Sequence, residues 1–178
     1  MNARMIGFMV LLLVVGTLAI PVIVPKVQAS TLTEDEIHWL TYMREEEKMA
    51  RDVYLYLYSR WGLRIFQNIA ASEQTHMNAI KTLLDRYGVP DPAAGKGLGR
   101  FNNSDLQSLY SKLILQGRVS RIAALKVGVF IEKTDIEDLK IGIATANHRD
   151  IKTVYSNLLQ GSLNHLVSFR SVLAKFVG

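Results

Sequence analysis

The stretch ASEQTHMNAI, residues 71–80, decides the fold. It lies inside a run where Phe66, Ile69, Glu73, His76, Ile80, Leu83 and Tyr87 recur at spacings of three and four. That period marks the core-facing stripe of an amphipathic helix. Glu73 and His76 therefore occupy positions that a packed helix turns inward. A carboxylate is costly there unless something pairs with it.

Three other stretches repeat the pattern. In MREEEKMARDVY the stripe runs Leu40, Met43, Glu47, Ala50, Tyr54, Leu57, Trp61. In VFIEKTDIEDL it runs Leu125, Gly128, Glu132, Asp135, Leu139. In QGSLNHLVSF it runs Ile151, Val154, Leu158, Gly161, His165, Ser168, Val172. Four such helices bring Glu47, Glu73, Glu132 and Asp135 into one interior with His76 and His165. Two divalent cations would balance four carboxylates with neutral imidazoles. Helical bundles that hold two metals use such a ligand set, including a Glu and a His at i, i+3.

With these motifs in view, residues 34–177 resemble the ferritin-like di-iron superfamily, and most nearly a small ferritin-like domain family of unassigned function. REEEKMARDVY, NIAASEQTHM, IEKTDIEDL and GSLNHL carry the resemblance. The first helix is also similar to rubrerythrin, where a ligand Glu is followed by Ala three on and Tyr seven on. That singles out Glu47, with Ala50 and Tyr54, over Glu45 and Glu46. The resemblance implies a four-helix up-down-down-up bundle and a di-iron site that reacts with O2 or peroxide. Glu73 and His76 match the family Glu-x-x-His, and Glu132 and Asp135 match its paired acids. The fourth helix departs, with Ser162-x-x-His165 where Glu-x-x-His is expected. Rubrerythrins usually carry a second iron held by four cysteines. This chain has no cysteine, so disulfides, thiolate chemistry and iron–sulfur clusters are excluded, and any electron donor must be external.

Composition bounds the rest. The chain has 178 residues, enough for one domain with a sizeable core. No sustained alternation or hairpin turn dipeptide points to strands, so the expected class is all-α. Residues 1–29 read as a targeting segment: Arg4, an apolar run from Met5 to Val24, and a small-x-small site at Val27-Gln28-Ala29 before Ser30. The expected outcome is cleavage after Ala29 and an exported domain over residues 30–178, extracellular or periplasmic. If it is retained, residues 5–24 are long enough to anchor the chain in a membrane. Removing residues 1–29 takes out Arg4 and Lys26 and no acid, which lowers the net charge from +5 to +3. That is too mild for nucleic acid, and no basic-aromatic patch stands out.

Along the chain, Thr33 and Glu36 predict a capping box for the first long helix, which Gly62 ends. The second runs from about residue 65 to Gly88 and Pro90. Residues 88–103, GVPDPAAGKGLGRFNN, form a Gly- and Pro-rich loop. It lacks the strand and the Lys-Ser/Thr pair of a phosphate loop, so nucleotide binding is not expected. Ser104 and Gln107 predict the cap of a short helix. The loop and this helix make a connection long enough to cross back along the bundle. Ser120 predicts the start of the third long helix, and Asn147 or Asp150 the start of the fourth.

Among the charged residues, Glu45, and Glu46 with it, read as a solvated acidic face beside Lys48 and Arg51. Glu137, Asp138, His38 and His148 read as surface groups, and Ser162 as a group that holds a water or orients His165. The expected metal ligands are Glu47, Glu73, His76, Glu132, Asp135 and His165. Oxygen and imidazole donors without sulfur suit iron, manganese or zinc, and the resemblance favours two irons. The expected function is an oxidoreductase of peroxidase or ferroxidase type. The alternatives are a metal-binding protein without turnover and a helical interaction or assembly module, either of which can form homo-oligomers.

Overall fold

The structure, a computed structural model, describes residues 31–177; the expected targeting segment lies outside them. Its five helices are α1 (Glu34–Trp61), α2 (Arg64–Tyr87), α3 (Ser104–Gly117), α4 (Arg121–Thr145) and α5 (Arg149–Val177). No strand occurs among the described residues, as the composition led us to expect.

Local chemistry sets the boundaries. Thr33 and Glu36 form the capping box that opens α1. Gly62 closes α1 with φ of 66°, in the left-handed region that glycine adopts without strain. Only Gly62 and Leu63 separate α1 from α2, so the two pack as antiparallel neighbours. Gly88 ends α2 the same way. The cap of α3 is Asn103 rather than Ser104: its side chain accepts from the amides of Asp105 (2.9 Å) and Leu106 (3.1 Å). Ser120 caps α4 through the amide of Ala123 at 3.0 Å.

Each long helix packs on two others. α1 lies against α2 and α4, and α5 lies against α4 and α2. α1 and α4 run in opposite directions, since Tyr42 meets Asp138 while Tyr54 meets Glu132. α2 and α5 are likewise opposed: Ser72 meets His165 while Tyr87 meets Asp150. The short α3 covers one end between α1 and α4. The apolar core forms two clusters. One gathers Tyr54, Phe66, Leu125 and Phe169; the other gathers Leu40, Ile80, Leu139 and Tyr155. The buried acids and histidines lie between them along the chain.

Two sequence expectations fail here: Glu45 is covered by the 88–103 connection, and Glu46 turns toward Asp135 and Asp138 of α4. Residues 43–50 of α1 are buried without interruption, including Glu45, Glu46 and Lys48. The 88–103 connection lies across the outer face of α1 and is fastened to it by charge. Arg44 holds Asp91 through two bonds, at 3.0 and 2.9 Å. Lys48 donates to Asp52 (2.6 Å) and to the Gly97 carbonyl (2.8 Å), with its ammonium 4.6 Å from the Phe101 ring centre. Glu45 accepts from the amides of Asn102 and Asn103, the latter at 2.9 Å. Glu45 is thus an anion at the start of α3 and not part of a solvated face.

Replacing Glu45 by Ala is therefore expected to cost about 2–3 kcal/mol of stability, the scale of losing hydrogen bonds to a charged group. Chemical denaturation measures it. A loss below about 0.5 kcal/mol would return Glu45 to the ordinary surface class.

His148 is also no plain surface group. It is half-buried, and its Nδ1 lies 2.8 Å from Glu36 Oε1. That same oxygen accepts from the amides of Asn147 (2.7 Å) and His148 (2.8 Å). Burial pushes the Glu36 carboxyl up, but these bonds and the one from Thr33 together hold it down at about 2. The first turn of α1 thereby pins the α4–α5 connection.

Candidate metal centre

α2 supplies the middle of the site. Glu73 and His76 stand one turn apart on its inward face, 2% and 8% exposed. Glu73 Oε2 lies 2.8 Å from His76 Nδ1, and its other oxygen, Oε1, lies 3.0 Å from His165 Nδ1 on α5. One carboxylate thus faces two imidazoles with a separate oxygen for each. From α1, Glu47 Oε2 reaches His76 Nδ1 at 3.2 Å. From α4, Glu132 Oε2 lies 3.4 Å from His165 Nδ1. Two overlapping groups result: Glu47, Glu73 and His76, and Glu73, Glu132 and His165, each with its donor atoms within 4.8 Å of one another. Either group could hold a metal ion.

The neighbours of each histidine fix its orientation. His165 Nε2 is 2.9 Å from the Ser72 hydroxyl, which leaves Nδ1 toward the carboxylates. This is how a metal-binding imidazole is usually held, by a partner on its far nitrogen. Ser72 takes the role expected of Ser162. Ser72 lies one residue before Glu73, off the apolar stripe, and no periodicity points to it. The His76 ring sits over Gly161: a β-carbon there would stand 2.6 Å from Nε2. Glycine makes room for the imidazole. Tyr54, fully buried, donates to Glu132 Oε1 at 2.6 Å.

Ser162 and Asp135 differ from expectation in detail. The buried face of α5 runs through Tyr155, Ser162, His165, Leu166 and Phe169, one residue on from Val154, Gly161 and Ser168. Ser162 is completely buried and donates to the Leu158 carbonyl at 3.0 Å. It is a close neighbour of Asp135. Asp135 is 5% exposed and lies beside the two groups rather than within either.

The electrostatics are those of acids crowded without cations. Burial pushes Glu47 up to about 8, even against the pull of His76. Burial also raises Glu132, to about 7, and drives Asp135 and Glu46 well up, with neighbouring acids adding to both. Glu73 is the exception. Burial raises it, but His165 and His76 together overcome that and hold it at about 2. Burial lowers both histidines, and the carboxylates more than reverse it, lifting His76 to about 11 and His165 to about 9. Three buried carboxylate oxygens, Glu46 Oε2, Glu47 Oε1 and Asp135 Oδ1, have no hydrogen-bond donor. Such atoms are costly to bury. A hard divalent cation would satisfy the one on Glu47 and balance the rest of the donor set.

Known proteins resemble this chain in sequence and in fold. Residues 36–176 match the family described as an uncharacterized protein domain, DUF2202. The chain is 50% identical over 145 residues to the uncharacterized protein MJ0754 of Methanocaldococcus jannaschii, covering 82% of this chain and 78% of that one. The crystal structure of the hypothetical protein MJ0754 from Methanococcus jannaschii superposes with a TM-score of 0.82 at 48% identity, over 85% of this chain and 86% of that one. A DUF305 fragment from Deinococcus radiodurans shares the fold alone: TM-score 0.59, 14% identity, 82% of this chain and 99% of that one.

Proposed function

We propose that this chain, which belongs to the DUF2202 domain family, is an exported, ferritin-like four-helix protein. On this reading it holds two metal ions, iron by preference, and uses them in a two-electron reaction with O2 or peroxide. The observation that carries it is Glu73, whose two oxygens face two different histidines at 2.8 and 3.0 Å. A carboxylate so placed could serve two ions, one through each oxygen. Glu47 and His76 complete one of them, and Glu132 and His165 the other.

A pair of irons supplies reversible two-electron redox chemistry. The chain supplies the rest. Ser72 and Gly161 set the two imidazole rings so that each presents Nδ1. Burial and nearby acids push the Tyr54 hydroxyl well up, so it keeps its proton and donates to Glu132. That bond leaves Glu132 Oε2 as the atom nearest His165. Asp135 is buried beside Ser162 and next to both ligand groups. The apolar clusters on both sides exclude water.

A second reading, metal binding without turnover, is favoured by the lack of any cysteine to relay electrons. Anaerobic titration of the mature domain with Fe(II), followed by O2 or peroxide, separates the two. Two equivalents per chain and consumption of oxidant are expected. Two equivalents without consumption would favour the second reading, and no binding would overturn both.

A further inference from the structure

The proposed centre is enclosed. Surface grooves lie between α3 and α4, lined by Leu109, Leu113, Val127 and Phe130, and between α2 and α5, lined by Leu83, Arg86, Asp150 and Val154. Neither reaches the two ligand groups. On the α1–α4 side the chain offers something different. Glu132, Asp135 and Asp138 follow one another at i, i+3, i+6 along α4, so they rise up one face of it. Burial falls along that row: Glu132 and Asp135 are buried, Asp138 half-buried. At the outer end Tyr42 donates to Asp138 Oδ2 at 3.3 Å. Tyr42 also lines a surface cleft with His38, Thr41 and Glu45.

Glu46 fills the gap from the α1 side. It is 1% exposed, and Asp135, Asp138 and Glu47 are its charged neighbours. Its Oε2 has no donor, and neither has Asp135 Oδ1. Among the described residues no lysine or arginine pairs with Glu46, Asp135 or Asp138. A structural acid in the same helix behaves differently. Glu45 next door has both oxygens occupied by amides. Glu46 serves no cap, loop or ion pair.

We propose that Asp138, Glu46 and Asp135 form a cation route from the Tyr42 cleft, between α1 and α4, to the metal centre. Successive carboxylates with unsatisfied oxygens give a dehydrating divalent ion oxygen ligands at each step inward. The half-buried Asp138 at the mouth of the row draws cations from solvent, which speeds capture by 10-fold or more in a salt-dependent way, and an ion moving inward displaces the protons that burial favours on Glu46 and Asp135. The proposal rests on the two-ion reading above.

Loading of metal-free mature domain with Co(II), followed by stopped-flow absorption, tests it in the parent and in Asp138→Asn, Glu46→Gln and the exposed control Glu137→Gln. The expected result is loading about 10-fold slower or more in the first two. Their two-equivalent end point should be unchanged, and the control should match the parent. Far-UV circular dichroism confirms that the variants are folded; both replacements are near-isosteric. Parent-like rates in Asp138→Asn and Glu46→Gln overturn the route alone. Loss of one equivalent in Glu46→Gln also overturns it, by making Glu46 a ligand. Failure of the parent to bind Co(II) or Fe(II) overturns the two-ion reading and the route with it.

Discussion

Glu73→Ala is expected to lose tight binding of both ions, not one. Elemental analysis after gel filtration of protein loaded with Fe(II) under anaerobic conditions should fall from two equivalents per chain to near none. The reason is the division of its oxygens, Oε2 toward His76 and Oε1 toward His165. Each three-residue group loses a member, leaving Glu47 with His76 and Glu132 with His165. Replacing Glu47 or Glu132 instead removes a member of one group only, so each of those variants should keep about one equivalent. If Glu73→Ala binds iron as well as the parent, the di-metal reading is wrong.

The second large effect is a linked change in protons and stability. In the ion-free protein the carboxylates hold His76 at about 11 and His165 at about 9 against the effect of burial, and burial holds Glu47 at about 8. At pH 7.5 both histidines are protonated and Glu47 is mostly so. A metal needs these groups deprotonated, so loading both ions should release about three protons per chain, measurable in weakly buffered solution. The direction in pH follows. A histidine raised above 6.5 stabilises the empty fold fully below that value, and the contribution disappears as pH rises through 9 for His165 and 11 for His76. Glu73, lowered to about 2, contributes above 4.5 and loses that as pH falls toward 2. Metal binding competes with the protons and so strengthens with rising pH. At free ion about 1,000 times Kd, each site adds about 4 kcal/mol, which for a domain of this size raises Tm by roughly 10 °C. At pH 5 the rise should nearly vanish. A Tm shift equal at pH 5 and pH 8, or loading without proton release, would be inconsistent with the buried site.

How much of this was legible in the sequence varies by helix. On α2 an i, i+3 Glu–His pair interrupts an otherwise apolar stripe, so Glu73 and His76 could be read directly. Glu47 was separable from Glu45 and Glu46 by phase, but its two neighbours were not readable as buried. What buries Glu45 is a connection about 50 residues away in sequence, held by Asp91, Gly97 and Asn103, and what buries Glu46 is α4; local periodicity carries no trace of either contact. Asp138 escaped for a related reason: in a run of charges only the partner helix decides which acid turns inward. On α5 the small residues Gly161 and Ser162 blurred the stripe, because neither has enough apolar surface to mark the face. The step from Leu158 to His165 was therefore read along Gly161 instead of Ser162. Ser72 carries no such signal, being a small polar residue beside a charged one.

The two-residue link between α1 and α2 sets an order of events. Glu47, Glu73 and His76 all belong to that single hairpin, whereas Glu73, Glu132 and His165 meet only when the α4–α5 hairpin has docked. Local contacts form fastest in a folding chain. On the proposed two-ion reading, the first ion would therefore be a local clasp, available to the hairpin before the second half has docked. The second would be a rivet through the seam between the two halves, and its occupancy would count the molecules in which those halves have closed.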